Sequence, residues 1–181
     1  LLVHWGYGIG AAFAYRGQVL ASNIGGVCEI GHWKVVEEGG IPCMCGSHGC
    51  LETVSSLWSL LPFLKDSYSE TPEVEDEFSS FLSQHTEIIE SLVFQKALWS
   101  MGSVLGALFT TLFPNIIYLY GPFGTIPPIQ QALQDITLQH IPQFARSYLD
   151  LRFLPPQFYG ERFAGSRTLF LKAVSYTHLR A

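Results

Sequence analysis

Three of the four cysteines in the chain lie within eight residues of one another, as Cys43, Cys45 and Cys50. Gly46 and Gly49 between them allow the backbone to fold so that the three sulfur atoms point to one centre. Thiolate sulfur and imidazole nitrogen are ligands that Zn²⁺ prefers, in a tetrahedron of four. The stretch therefore predicts a structural zinc site with three cysteines and one histidine, holding about one zinc ion per chain.

Two histidines are candidates for the fourth ligand, His32 and His48. Their spacing from the cysteines does not decide between them, since either could reach the metal. His48 lies inside the cysteine loop, whereas His32 would tie a second segment to it and cross-link more of the chain. We therefore favour His32 as the fourth ligand.

A disulfide is the alternative use of these cysteines. Cys43 and Cys45 are too close in sequence to pair easily with each other, and the three clustered thiols leave Cys28 apart. We identify no secretory signal pattern in the sequence. A protein that is not secreted is expected to use such cysteines as free thiols or metal ligands rather than in disulfides. Cys28 itself is predicted to be a small buried hydrophobic residue.

The elements that must position these residues follow from apolar runs separated by glycine and proline. The predicted strands are 1–6, 11–15, 18–21, 116–120 and 151–154, and the predicted helices are 53–66, 73–84, 85–113, 127–149 and 161–173. A glycine-rich loop is predicted at 23–26, and 31–47 is almost free of helix signals. This order indicates an α/β fold, in which long helical connections allow parallel strand pairing.

Several local features refine this prediction. Thr53 is a candidate N-cap for the first helix, Pro114 ends the long helix, and Pro142 is expected to bend the helix predicted over 127–149. The acidic segment 67–77 is expected to be exposed.

Composition and charge make some classes of partner unfavourable. The chain is 48% hydrophobic and 14% aromatic, with a formal net charge of -5. This acidic balance does not favour nucleic acid or an anionic membrane as a direct partner of the segment. The uncharged run 97–113 is at the short limit for crossing a membrane and is diluted by serine and threonine. We interpret it as part of a buried core helix and expect no membrane partner.

The motif around the cysteines resembles the signature of the ROK family (repressors, open reading frames and kinases). The usual pattern is E-x-G-H, a glycine, and then C-x-C-G-x-x-G-C-L-E. The matching residues are Glu29-Ile30-Gly31-His32, Gly40 and Cys43-Met44-Cys45-Gly46-Ser47-His48-Gly49-Cys50-Leu51-Glu52. Further similarity lies in Gly8-Ile9-Gly10-Ala11 with Arg16-Gly17, in Phe113-Pro114-Asn115, and in Ala164-Gly165-Ser166. The resemblance covers about residues 1–173 and the carboxy-terminal half of the family pattern.

The resemblance implies a fold and a binding site. The fold would be the actin-like ATPase (ribonuclease H-like) type, as its carboxy-terminal half with a zinc-binding loop. The zinc ligands would be His32, Cys43, Cys45 and Cys50. Glu29, His32 and Glu52 would face a monosaccharide or its phosphate, where carboxylates accept hydrogen bonds from sugar hydroxyls. His32 can serve both roles if one ring nitrogen binds zinc and the other donates to the sugar.

Three functions are open within the resemblance. Family kinases usually have paired glycines after the second parallel strand, but here the sequence is Gly121-Pro122-Phe123. We expect Pro122 to remove a donor and Phe123 to add bulk at a nucleotide site. The first hypothesis is therefore a sugar-binding effector domain of a transcriptional regulator of carbohydrate metabolism, with no catalytic residue in this segment.

The alternative is a glucokinase-like sugar kinase that uses ATP and Mg²⁺. In a kinase, Gly8, Gly10 and Gly121 would contact the nucleotide, and the catalytic aspartate would lie upstream of Leu1. A catalytically inactive sugar-binding relative is a third hypothesis.

The resemblance also gives expectations for the whole protein. We expect 1–173 to be one domain whose amino-terminal part lies outside the sequence. Residues 174–181 are expected, for a separate reason, to be a non-native tail, because they are similar to translated sequencing-adapter sequence; an ordinary tail is the alternative. DNA would be contacted only through the missing amino-terminal segment. The protein is expected to be a cytoplasmic homodimer.

Overall fold

The fold is α/β, as the order of predicted elements indicates. The computed structural model describes residues 1–20 and 28–154. Its strands are β1 Leu2–Trp5, β2 Ile9–Ala12, β3 Ala14–Tyr15, β4 Gln18–Val19, β5 Ile117–Tyr120 and β6 Leu151–Phe153. Its α-helices are α1 Glu52–Ser55, α2 Leu57–Ser67, α3 Glu75–Gln84, α4 Leu92–Leu112 and α5 Pro127–Gln139. Short 3₁₀ helices cover Ile30–His32, Thr86–Glu90, Pro122–Thr125 and Gln143–Tyr148. The predictions for 23–26, 161–173 and 174–181 lie outside the described residues.

The central sheet has four strands in the order β2-β1-β5-β6. β1 pairs antiparallel with β2, while β5 is parallel to both β1 and β6. The connection from β1 to β5 includes α4, which is the helical crossover that parallel pairing requires. Because the carboxyl ends of parallel strands lie at one edge of a sheet, the segments that follow β1 and β5 meet there.

Alternation along β1 and β5 divides the sheet into a core face and an outer face. Val3, Trp5, Ile117 and Leu119 are fully buried, whereas the residues that alternate with them within the two strands are half-buried. The Trp5 ring packs against Phe123 in a tilted arrangement, with 4.6 Å between ring centroids, and its Nε1 donates to Ser55 O at 2.7 Å. The end of β1 is thereby anchored in the core.

α4 is the most apolar helix in the described part of the chain. By length and composition it could cross a membrane, but 61% of its most apolar window is buried inside the fold. It packs closely on α5, because Gly102 places no side chain against Ile136 and a Cβ there would lie 2.5 Å from Ile136 Cγ2. This burial agrees with the interpretation as a core helix.

The prediction of a single helix over 53–66 is wrong, because the segment forms two helices, α1 and α2. The helical segment has different bounds as well. It begins at Glu52, with Leu51 rather than Thr53 at the N-cap, and it breaks at Ser56, whose ψ is 158°. The Ser56 side chain accepts from Ser59 N and starts α2 as a separate helix. The break also leaves Leu57 N free of helical bonding, and it donates instead to Gly6 O at 2.8 Å.

Two further helix boundaries differ from the prediction. The long helix begins at Leu92 rather than at residue 85, since Thr86–Glu90 form a 3₁₀ turn and Ser91 is the N-cap. The helix predicted over 127–149 ends at Gln139, and a 3₁₀ turn follows Pro142. Pro142 therefore lies beyond the end of the helix rather than at a bend, because proline has no N–H to continue it.

The predicted second strand also differs. Gly10, which precedes the strand predicted over 11–15, lies within β2 and pairs with His4 of β1. The prediction over 11–15 is divided between β2 and β3, and β3 pairs with β4 as a separate two-stranded sheet.

The Ser91 cap offers a first test of how α4 is positioned. Its Oγ accepts from Phe94 N at 3.2 Å and donates to Ile88 O at 2.7 Å. We expect Ser91→Ala to lower the free energy of unfolding by about 1 kcal/mol. Urea denaturation measures this, with the exposed Ser80→Ala in α3 as the control. Equal unfolding midpoints for the two variants would show that the cap does not stabilise the fold.

Candidate functional site

Four side chains with metal-binding atoms converge in the loop before α1. The ligand atoms of His32, Cys43, Cys45 and Cys50 all lie within 4.8 Å of one another. Cys43 Sγ is 3.5 Å from His32 Nδ1, and Cys45 Sγ is 3.7 Å from Cys50 Sγ. Three thiol sulfurs and one imidazole nitrogen match the donor set of a structural zinc site. This cluster can hold a metal ion.

Backbone hydrogen bonds fold the cysteine loop into this shape. Cys43 N donates to Ser47 O at 2.8 Å, and Gly46 N donates to Cys43 O at 3.0 Å. Gly46 and Gly49 have φ values of 89° and 68°, in the left-handed region that favours glycine. A side chain at Gly49 would also overlap the Val36 carbonyl. The two glycines are therefore required for the sulfurs to face one centre.

The segment that carries His32 is bonded to the cysteine loop. Leu51 N donates to Trp33 O at 2.8 Å, and an isolated bridge joins Lys34 to Cys50. His32 ends a 3₁₀ turn and points into the cluster, while His48 is exposed on the loop. Of the two candidate histidines, the structure thus brings His32 to the sulfurs.

The thiols differ in how readily they ionise. Burial raises the pKa of Cys50 to about 12, helped by the neighbouring Cys45 and Cys43 thiols. A hydrogen bond from the Ser47 backbone, together with the Cys43 side chain, lowers the pKa of the exposed Cys45. Without a metal, Cys50 is therefore a neutral thiol at neutral pH, and metal binding must displace its proton. The separation of Cys45 and Cys50 sulfurs, 3.7 Å, is far longer than a disulfide bond of about 2.05 Å.

Glu52, the first residue of α1, links the cluster to the segment that follows β1. Its Oε2 is 3.9 Å from His32 Nδ1, and its Oε1 accepts from Ile9 N at 3.1 Å. The Glu52 side chain is 20% exposed. One carboxylate thus touches both the metal cluster and the end of the sheet.

The other predicted site residues lie around Glu52 in different settings. Glu29 is exposed, directly before the 3₁₀ turn that carries His32. Gly8 faces Glu52, since a Cβ there would lie 3.1 Å from Oε1, whereas a Cβ on Gly10 would meet open space. Gly121 follows β5 with φ 124°, and its backbone lies against the Trp5 carbonyl. Gly121 is therefore needed for the packing of the sheet.

The expectation that Phe123 adds bulk at a nucleotide site is wrong. Phe123 is fully buried and packs on Trp5 and Phe94 in the core. Its ring points inward because Pro122–Thr125 form a 3₁₀ turn after Gly121. The absence of a donor at Pro122 is a property of proline and does not depend on this geometry.

Glu75 and His4 are two residues near the site that the sequence did not indicate. Glu75 lies in the segment expected to be exposed, yet its side chain is only 14% exposed and is 3.0 Å from His4 Nε2. Thr71 in that segment is buried as well, while the carboxylates of Glu70 and Glu73 are exposed. The sequence feature that could have indicated the contact with Glu75 was the polar His4 within an apolar strand.

Cys28 lies at the edge of the core. It is half-buried against the hydrophobic cluster, and burial raises the pKa of its thiol. Its φ of 66° is unusual for a residue with a side chain. The prediction that Cys28 is a small buried hydrophobic residue is thus confirmed only in part, because the side chain is half-buried.

Comparisons with known proteins agree with this architecture. The ROK family model matches residues 1–159. The glucokinase of Halalkalibacterium halodurans is 40% identical over 73 residues, which cover 40% of this chain and 22% of that protein. The DNA-binding transcriptional repressor Mlc of Escherichia coli is 40% identical over 55 residues, which cover 30% of this chain and 13% of the repressor.

A solved structure gives the same result for the fold. A ROK family transcriptional regulator, a homologue of the E. coli MLC protein, superposes with a TM-score of 0.69 at 20% identity, over 84% of this chain and 40% of that one. ROK family structures of this kind have the actin-like ATPase fold, which is the fold that the resemblance implied. The match thus spans less than half the length of these relatives. Because the family model covers most of the sequence, the chain belongs to the ROK family.

Proposed function

We propose that this segment is the sugar-binding effector domain of a ROK family transcriptional regulator of carbohydrate metabolism, built on a structural zinc site. The observation that carries the proposal is the position of Glu52, between the His32–cysteine cluster and the end of β1. A partly exposed carboxylate, oriented by a backbone N–H, is suited to accept hydrogen bonds from sugar hydroxyls. The similarity of the chain to a glucokinase supports a sugar-related role for this site.

The contacts of Glu52 suggest how a sugar would be held. Ile9 N–H orients Oε1, so Oε2 and the His32 ring would face the sugar. Glu29, exposed in the same segment as His32, would supply a second carboxylate. Zinc held by His32 and the three cysteines would stiffen this wall of the site and fix the orientation of the imidazole.

A regulator and a kinase would use this sugar site differently. In a regulator, sugar affinity must differ between the DNA-competent and DNA-incompetent states for binding to act as a signal. DNA would be contacted by a segment outside these 181 residues, in a cytoplasmic homodimer. The similarity to the Mlc repressor and the absence of an N–H at Pro122 support this choice.

The alternative is an ATP-dependent sugar kinase, which the similarity to a glucokinase supports. Gly8, Gly10 and Gly121 would then lie against the nucleotide, and zinc would keep its structural role. The two functions differ in what the gene encodes before Leu1. Sequencing of the genomic DNA upstream of that codon is expected to show a helix-turn-helix pattern. A D-x-G-x-T phosphate loop with a catalytic aspartate there, and no DNA-binding segment, would favour the kinase.

The sugar site has a direct test in the full-length protein. Glucose at a hundredfold excess over its Kd should stabilise the wild type by about 2.7 kcal/mol, which raises the melting temperature by about 3 °C in a full-length protein about twice as long as this segment. We expect Glu52→Ala to abolish this increase and to leave the zinc content intact, because Glu52 is not a predicted metal ligand. Thermal melts with and without sugar, together with metal analysis, measure both effects.

A matched control is available near the site. Glu37, whose side chain is 89% exposed, should keep the sugar-induced increase when changed to alanine. An unchanged increase in the Glu52→Ala protein would remove Glu52 from the sugar site. If glucose stabilises no variant, the same comparison is made with N-acetylglucosamine.

A further inference from the structure

The turn that follows β1, residues Gly6 to Ile9, is held by two acidic side chains; we call it the glycine turn. Tyr7 N donates to Glu75 Oε2 at 2.7 Å, and Ile9 N donates to Glu52 Oε1 at 3.1 Å. Both carboxylates come from helices that lie far along the chain, α3 and α1. Two of the backbone donors of the turn are therefore already bonded to anionic groups of the protein itself.

Gly6 makes room for the Glu75 carboxylate. A Cβ at Gly6 would lie 2.5 Å from Glu75 Oε1, so any other residue would displace the carboxylate. On its other side, Glu75 Oε1 is 3.0 Å from His4 Nε2, and the His4 ring stacks on Tyr120 with 4.7 Å between centroids. The carboxylate is thus held by the turn and by β1 rather than extending into solvent.

The glycine turn lies where the sheet could receive a phosphate group. It is at the carboxyl edge of β1, beside Gly121 after β5, and Leu57 N at the start of α2 bonds to Gly6 O. Backbone N–H groups in such glycine-containing turns are common ligands of phosphate oxygens. A carboxylate offers the same kind of acceptor oxygen, and it also repels a second anion placed beside it.

We propose that Glu75 is an internal anion that closes the glycine turn to phosphate groups, so that the protein does not bind nucleotide there. Glu52 adds a second negative charge at the same turn. This inference bears on the choice between regulator and kinase. It depends on the contacts of Glu75 and not on sugar binding, so either can fail while the other stands.

The experiment is a calorimetric titration of the full-length, zinc-loaded protein with ADP and Mg²⁺, without sugar. We expect no saturable binding for the wild type. Glu75→Ala removes the carboxylate and should bind ADP saturably, at least about tenfold more tightly than the weakest binding that the same titration would detect in the wild type, because a like charge no longer faces the phosphates. Glu77→Ala, on the exposed side of α3, is the matched control and should behave like the wild type.

Each outcome bears on the proposal. Wild-type protein that binds ADP as tightly as the Glu75→Ala variant would overturn it, because the turn would then be open. If neither Glu75→Ala nor Glu75→Gln binds ADP saturably, the proposal is also overturned, because Glu75 would not be what excludes phosphate. Glu75→Gln keeps the size of the side chain and carries the test if the alanine variant does not melt cooperatively. It should show a smaller gain, since its amide oxygen can still accept from Tyr7 N.

Discussion

Replacing Cys50 with alanine should remove zinc from the protein and lower its melting temperature by about 10 °C. Cys50 is fully buried, and its sulfur is 3.7 Å from that of Cys45 in the cluster. A site with three ligands loses most of its affinity, so the stabilisation by zinc, about 4 kcal/mol at a thousandfold excess over its Kd, is lost. In a chain of this size, that corresponds to roughly 8–16 °C. Metal analysis and thermal melts measure the two effects.

A pair of histidine variants tests which imidazole completes the site. His32→Ala is expected to lose zinc as Cys50→Ala does, because Nδ1 of His32 is 3.5 Å from Cys43 Sγ. His48→Ala, on the exposed side of the loop, is expected to keep about one zinc ion per chain. Wild-type protein treated with a chelator should melt like the Cys50→Ala variant. Freshly purified, unoxidised protein without zinc would contradict the metal site altogether.

Substitution of Gly121 by alanine should be the most destabilising single change outside the metal cluster among those considered. Gly121 has φ 124° and ψ 173°, a backbone conformation that is nearly restricted to glycine. Its Cβ would overlap the carbonyl of Trp5, whose side chain is fully buried in the core. β1 and β5 would have to separate at the edge that carries the candidate site. We expect a loss of more than about 3 kcal/mol of the free energy of unfolding.

Urea denaturation measures this loss as a lower unfolding midpoint with an unchanged slope. Gly10→Ala is the matched control, because a Cβ on Gly10 would meet no atom within 4 Å. It should change the midpoint little. A Gly121→Ala midpoint equal to that of Gly10→Ala would show that the backbone of residue 121 can relax away from Trp5 without cost.

The metal cluster could be predicted because its chemistry is local. Cys43, Cys45 and Cys50 belong to one loop, and glycines at 46 and 49 have the left-handed φ values that such a loop needs. The preference for His32 over His48 used only the argument that a distant ligand cross-links more chain. The structure brings His32 to the sulfurs, within the 4.8 Å group.

Helix boundaries were predicted less well, because serine can either continue a helix or cap one. Ser56 and Ser91 both lie within segments predicted as single helices, and both are N-caps with extended backbones. Their conformations depend on partners elsewhere in the fold. Next to Ser56, for example, Leu57 N donates to Gly6 O, which lies fifty-one positions earlier in the chain.

The contacts that could decide function were determined only by the tertiary structure. Glu75 reaches Tyr7 N across 68 positions of sequence, and Glu52 reaches Ile9 N across 43. Phe123, expected beside a nucleotide, is turned into the core against Trp5. No local pattern contains such pairs, because they form only when α1, α3 and the segment after β5 pack at one edge of the sheet. Residue types and short spacings thus predict the metal loop and the family, while the packing of distant helices decides which backbone donors remain open to a ligand.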